Sequence, residues 1–540
     1  MASRVLKLLQ DNTTLNNNLK SMVFKPDTNT ITFLNPTPQR GDVNSIKFIK
    51  TIQPGDISGT FPVYNGQSQP VSIFCITYYS SNPINNSSVE LVSGSMLVPQ
   101  TITKSTIVEN LRGAAVATDD YGVCSWLIVQ GTTWVNSTPA ERSSFSRTNA
   151  LISIASLGYV VIAADGFGLG VSLNKTDLFS NYFSNVNPSV DVIRAFKKYL
   201  EYTKSTGSNQ FQGKFNSSKL NIIHTGYSLG ANVGPGVINE LKPGVSQSIP
   251  LDEASQFNSI KGIYSAALDS KLIFDYWYAN RNTAATRFWN PTIAYLSLQV
   301  AASNYNVYQG ATVGCKSNII PSFLEDLHRT QSETLFGSTN FNSLISKIFY
   351  DYTINANEYA TAGIQAPTII GGFPFIDWKQ LFTDDGVRLL GNILSNSMPW
   401  TSKMRNLRDL SNTPIAHIYG HADELLNPLG PGVLDAATNL DQLNMGADQV
   451  GPNGPDGNPL WVFRGANKVC SKVNVTGGDI LTNPTSGTEA QMINQIATMT
   501  NNQFINFKVT STAYGNILSS HGGFSVIYET YLFLVLSQQQ

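Results

Sequence analysis

Residues 221–233 read Asn-Ile-Ile-His-Thr-Gly-Tyr-Ser-Leu-Gly-Ala-Asn-Val, and they contain a Gly-x-Ser-x-Gly pentapeptide, Gly226 to Gly230. An apolar run precedes it and a small-residue, helix-capable stretch follows. A serine set between a strand and a helix in so few residues must take up a strained backbone conformation, with its hydroxyl pushed clear of the sheet. Glycines two before and two after it leave room for neighbouring backbone to approach the turn. The pentapeptide alone is close to a chance match. Its weight depends on whether the rest of the chain builds a parallel sheet around it.

The pattern along the chain supplies that sheet. Val71–Tyr79 and Val89–Val98 alternate apolar and polar residues on either side of Asn82-Pro83, which predicts a hairpin. Trp126–Val129 is a short apolar run closed by Gln130-Gly131, and residues 144–157 form a helical pattern stopped by Gly158. Tyr159–Ala164 reads as a buried strand. Asn187 and Pro188 suit a helix start, cap then first turn, for Val190–Tyr202. Leu220–His224, Ile260–Ala267, Ile415–Tyr419 and Gln503–Val509 are the later strands, and residues 525–536 a final helix. Strand–helix alternation of this kind predicts an α/β protein with a mostly parallel sheet covered on both faces.

At 540 residues the chain exceeds one simple core. Residues 1–60 lack periodicity and are expected to be an irregular N-terminal extension. Residues 61–270 form the first part of the α/β core and 411–540 the second. Residues 271–410, aromatic-rich and without the sheet pattern, are expected to be an inserted cap. Within the second part, residues of about 430–500 are rich in Gly, Pro and Asn, which reads as a surface-loop insertion.

Charged residues make up 13% of the chain and the net charge is −1, so there is no basic footprint for nucleic acid. Four cysteines (Cys75, Cys124, Cys315, Cys470) show no zinc spacing and are expected as free thiols rather than two disulfides; neither a metal nor a cofactor is expected. No apolar stretch approaches the roughly 20 residues of a membrane span, and the N-terminus lacks a signal-peptide core. A soluble protein is the expectation.

A serine hydroxyl is a weak nucleophile at neutral pH and needs a base in contact, itself oriented by a carboxylate. Five histidines are available. His224 lies on the predicted strand before the serine and should pack into the sheet, and His417 lies inside the Ile415–Tyr419 strand. His328 falls in the expected cap, and His421 directly follows a strand. His521 follows the last strand, where loops meet the C-terminal ends of the strands, and is the candidate base. Asp423, in the segment after Ile415–Tyr419, is the candidate acid, and Asp269, after the preceding strand, competes with it. Asp165 reads as a turn residue. The order Ser228, Asp423, His521 matches one serine-triad fold and not the others. Backbone N–H groups of Leu229 and Thr132 are the candidate oxyanion donors. Gly166-Phe-Gly168-Leu-Gly170 lacks dinucleotide spacing and reads as a loop.

At these residues the chain resembles the α/β-hydrolase superfamily, in its esterase and lipase branch that includes the secretory lipases. Ser93-Gly94 to Pro99, Gln130-Gly131-Thr132, Gly158–Asp165, Val190–Ala195, the pentapeptide and Gly420–Asp423 carry the resemblance. Its Asn- and Ser-rich composition is also similar to that of hydrolase-like proteins of large DNA viruses of amoebae. Gln130 replaces the family's histidine, and Gly234-Pro235-Gly236 is expected to interrupt the helix behind the serine. The resemblance implies a carboxylic ester hydrolase acting on a small-molecule or lipid-like ester. Peptidase and thioesterase chemistry use the same groups. The competing expectation is a silent binding or structural module of the same fold, for example one carried in a virus particle.

Overall fold

The computed structural model describes residues 26–57, 63, 66–83, 87–111, 146–172, 182–208, 211, 213–215, 220–241, 257–266, 278, 288–289, 368–370, 373–377, 413–420, 423, 470–478, 487–500, 503–510 and 521–539. The N-terminal strands are β1 (Thr30–Thr32), β2 (Val43–Ile52), β3 (Val71–Ser81), β4 (Val89–Pro99), β5 (Thr106–Leu111) and β6 (Val160–Ala164). Then come β7 (Leu220–Tyr227), β8 (Phe257–Ser265), β9 (Phe288–Trp289), β10 (Thr368–Ile370) and β11 (Phe373–Asp377). The last strands are β12 (Ile415–Gly420), β13 (Cys470–Thr476) and β14 (Phe504–Thr510). Five helices accompany them among the described residues: α1 (Ser146–Ser156), α2 (Tyr182–Ser205), α3 (Leu229–Leu241), α4 (Gly487–Thr498) and α5 (His521–Gln538).

Eleven strands form one sheet in the order β1-β2-β3-β4-β6-β5-β7-β8-β12-β14-β13. From β1 to β4 and on to β6 every pairing is antiparallel. From β6 to β13 every pairing is parallel. The chain leaves β5 toward β6 on one side and later returns to place β7 on the other, so the strand order reverses at β5. Such a reversal opens a crevice outside the carboxyl ends of the strands, where ligands bind in open α/β sheets.

Alternate residues of the parallel strands feed two faces. Val108, Val161, Ile223, Ile263, Ile418 and Phe507 share a core with apolar residues of α1, α4 and α5. The opposite face carries α2 and α3, which pack on each other, α3 also lying along β7 and β8. Fully buried aliphatic side chains on both faces, each stabilising by about 1.5–3 kcal/mol, hold the layers together. Cys75 is a free thiol buried in β3.

Four expectations need correction. The stretch read as an irregular extension contains β2, ten residues long and paired with β3. The stretch read as a surface-loop insertion contains β13 at the sheet edge and α4 against α5. Helix α2 starts at Tyr182 and carries Pro188 inside it. The carbonyl that Pro188 cannot bond, that of Ser184, instead accepts the Phe167 N–H at 3.0 Å, so the proline leaves no orphan there. Helix α3 runs unbroken through Pro235. Its Gly234 is required by packing: a Cβ there would lie 2.3 Å from the Tyr264 ring.

Two further differences concern the sheet. Strand β5 takes the place between β6 and β7, while Trp126–Val129 lies outside the described residues. Within the expected cap, β10, β11 and β9 form a separate three-stranded antiparallel sheet.

Candidate active site

The site is built from the ends of strands. Ser228 follows β7 directly and has φ 53°, in the left-handed region that non-glycine residues rarely occupy. Three contacts impose this conformation. The Ser228 N–H donates to the Ser265 carbonyl at 2.9 Å, tying the turn to the end of β8. The Ser228 carbonyl accepts from Asn232 N–H at 2.9 Å, which starts α3. Gly226 lies so close to Gly230 that a Cβ at Gly226 would stand 2.5 Å from the Gly230 carbonyl carbon. Both glycines of the pentapeptide therefore meet each other across the turn. Ser228 itself is partly exposed at the C-terminal edge of the sheet.

Leu229 is the first residue of α3, where backbone N–H groups have no intrahelical acceptor and the helix dipole is positive. Such an N–H is suited to an oxyanion. Ala266, just past β8, has φ 54° and donates its N–H to the Ile418 carbonyl at 3.2 Å. Two left-handed residues on adjacent strand ends mark this edge as the strained part of the sheet.

Asp423 lies three residues past β12 and is 3% exposed; its N–H donates to the Gly420 carbonyl at 3.3 Å. Its charge reaches His417, whose pKa burial lowers to about 4 against weaker raising effects of the Asn506 bond and of Asp423. His417 is therefore neutral near pH 7, with Nδ1 donating to Asn506 Oδ1 at 2.9 Å. It is a packed strand residue. His224, expected to pack into the sheet, is also fully buried.

His521 is the first residue of α5, which packs against β8 and β12. Ser228 is at the end of β7, Asp423 follows β12, and His521 follows β14. The fold thus sets these three positions in chain segments that leave the same edge of the parallel sheet. Thr132, Asp269, His328 and His421 lie outside the described residues. Thr132 belongs to the connection between β5 and α1. Asp165, expected as a turn residue, is fully buried at the end of β6 and accepts a hydrogen bond from Ser93 Oγ. The Gly166–Gly170 stretch ends in a single 3₁₀ turn packed on Ser93 and Asp165.

Two polar clusters escape sequence reasoning. On the α3 face, His224 Nε2 stands 2.6 Å from Glu109 Oε2, both fully buried. This is ion-pair distance, although the groups are off the line that a full hydrogen bond needs. His224 Nδ1 is 2.9 Å from the Tyr264 hydroxyl, whose pKa burial pushes well up, with Glu109 adding to the shift. On the opposite face, Asn110, Thr225 and Arg147 form a connected hydrogen-bond group. A glutamate and an asparagine inside Thr106–Leu111 broke the apolar run that would have marked β5 as a strand.

No family model matches the sequence, and no curated protein matches it. Among solved structures, the rice cell wall degrading esterase LipA from Xanthomonas oryzae superposes with TM-score 0.50 at 14% identity, covering 93% of this chain and 98% of that one. The chain has the α/β-hydrolase fold. A putative hydrolase from Legionella pneumophila aligns with TM-score 0.44 at 12% identity, over 91% of this chain and 99% of that one. Candida antarctica lipase A aligns with TM-score 0.42 at 14% identity, over 72% of this chain and 71% of that one. Among the described residues no helix is long and apolar enough to cross a membrane. No group of three or more His, Cys, Asp or Glu there could hold a metal ion.

Proposed function

We propose that the protein is a serine hydrolase that cleaves carboxylic esters through an acyl-enzyme. The observation that carries this reading is the left-handed Ser228, held between β7 and α3 where the strand order reverses. Its Oγ attacks the ester carbonyl carbon while His521 takes the hydroxyl proton. Asp423 orients the imidazole and stabilises its charged form. The Leu229 N–H and the Thr132 N–H receive the negative charge on the carbonyl oxygen. His521 then protonates the departing alcohol, and a water, deprotonated by the same base, releases the acid and restores Ser228. Residues 271–410 would form a cap over the acyl group, the natural place for specificity in a fold whose triad leaves the acyl group unspecified.

Active-site labelling with a fluorophosphonate tests the reading. We expect stoichiometric modification at Ser228, lost in Ser228→Ala and in His521→Ala. A folded protein that takes up no label would instead be a binding module that keeps the fold without the chemistry. Comparing Asp423→Asn with Asp269→Asn identifies the acid. Loss of ester turnover only in the Asp269 variant would overturn the assignment of Asp423.

A further inference from the structure

We propose that Tyr528 is a positioning residue of this site, holding the start of α5 against the turn that carries Ser228. The inference rests on the ester-hydrolase reading, in which His521, the first residue of α5, serves a hydroxyl presented at the end of β7. Nucleophile and base then belong to separate elements, and some contact has to set one against the other. Tyr528 makes that contact. Its hydroxyl donates to the Ile263 carbonyl of β8 at 2.8 Å. Ile263 precedes Ser265 by two residues on that strand, and the Ser265 carbonyl accepts the Ser228 N–H. The Tyr528 ring packs on that of Tyr227, the residue before Ser228, with centroids 5.7 Å apart.

Burial pushes the pKa of this hydroxyl well up, and the Gly226 N–H, acting on the same oxygen, opposes the rise. The group stays protonated, and so remains a donor, throughout the pH range of an ester assay. Because Tyr528 is buried, water does not compete for the bond. Position 521 lies about two turns before position 528, which puts both on the same face of the helix. A helix rises about 1.5 Å per residue, so a slide of α5 by one residue would move its first turn by about half the length of a hydrogen bond.

Three further anchors hold α5 and its C-terminal end. Tyr531 donates to Glu489 of α4, the Tyr159 hydroxyl donates to the Leu536 carbonyl at 3.1 Å, and Lys104 Nζ donates to the Gln539 carbonyl. Tyr159 and Lys104 stand just before β6 and β5, at the edge of the parallel sheet opposite to Ser228. These bonds secure the helix at a distance from its start. Of the four anchors, Tyr528 is the nearest to that start and the one that ends on the strand holding the serine turn.

Displacing a reacting group by about an ångström costs up to about 10²-fold. Tyr528→Phe keeps the ring and removes the hydroxyl. We expect kcat for p-nitrophenyl butyrate to fall about tenfold with KM changed less than about twofold, the pattern of an interaction used in the transition state. The rate of fluorophosphonate labelling at Ser228 should fall in parallel. Tyr159→Phe removes a bond of the same kind from the other end of the same helix, and should leave kcat and labelling within about twofold of wild type.

The assays are run well below the urea and thermal midpoints of each variant, measured alongside. A folded Tyr528→Phe with wild-type kcat and labelling rate overturns the positioning role and leaves the ester-hydrolase reading standing. So do equal falls in the two variants, or a fall that disappears once the assay is cooled away from the midpoint, since either would trace to helix stability alone. Wild-type protein that does not label at Ser228 overturns the ester-hydrolase reading and the role of Tyr528 together.

Discussion

Ser228 holds a left-handed backbone although it is not itself a glycine, and the strain is over-determined by its neighbours. The Ser265 carbonyl fixes its N–H, Asn232 fixes its carbonyl, and Gly226 lets the turn close on Gly230. Gly226→Ala would drive a methyl into backbone, which cannot yield as a side-chain tip can. We expect a stability loss of about 1–3 kcal/mol by urea unfolding, with Ser228 labelling slowed beyond what that loss explains. A variant that labels at the wild-type rate would show that the close approach is not needed.

His417 gives a second prediction at the scale of one side chain. Its folded pKa, lowered by burial to about 4, lies below the unfolded value of about 6.5. The unfolded chain therefore takes up a proton near pH 6.5 that the folded protein refuses until about pH 4. The contribution of His417 to stability is fully present above pH 6.5 and is lost as pH falls from there to about 4. Its size is on the order of 3 kcal/mol. Urea midpoints of wild type and His417→Gln should differ in slope across that window, the variant being flatter. Parallel slopes would remove His417 as a cause of acid sensitivity.

At the scale of elements, what was legible in the sequence followed periodicity. Strands β3, β4, β6, β7, β8, β12 and β14 and helices α1 and α5 appear close to where apolar period and turn residues place them. What escaped was a polar residue at a buried position, as in β5, or an element whose start contradicts a local signal, as in α2. Asn187-Pro188 is a sound helix start by local chemistry. It loses to tertiary structure because Phe167 uses the Ser184 carbonyl that the proline leaves open. Pro188→Ala should therefore change stability by less than about 1 kcal/mol. An interior proline typically costs about 3 kcal/mol, and most of that cost is absent here. A gain near 3 kcal/mol would show that the Phe167 bond does not compensate.

For the site, the strand-to-helix turn at Ser228 was legible because the pentapeptide and its apolar flanks suffice to place it, whereas the roles of Asp423 and His521 belong to the proposed function. The Asn110–Thr225 and Glu109–His224 pairs were not legible, because only strand register brings them together.

At the scale of the molecule, that register has its own signature. On the α3 face, neighbouring strands from β5 to β14 contribute Glu109, His224, Tyr264, His417 and Asn506, all fully buried. Register pairs Glu109 with His224, Tyr264 with His417 and His417 with Asn506. A one-residue slip of any of these strands would turn its polar group into the opposite, aliphatic core. The row thus penalises every misregistered sheet, at the expense of desolvating polar groups in the correct one. Buried pairs behave asymmetrically: losing one partner costs about 3–5 kcal/mol, whereas replacing the group with apolar residues of similar volume is often neutral or stabilising. Glu109→Met and His224→Leu should each show the first effect. The triple variant Glu109→Met, His224→Leu, Tyr264→Phe removes every polar atom of the local cluster and should lie closer to wild type than either single variant. Because only His417 and Asn506, on β12 and β14, then remain of the row, the register of β5, β7 and β8 is less specified and the urea transition should also be broader. Losses that simply add would mean that the pair stabilises the fold outright, and that the row does not serve to specify register.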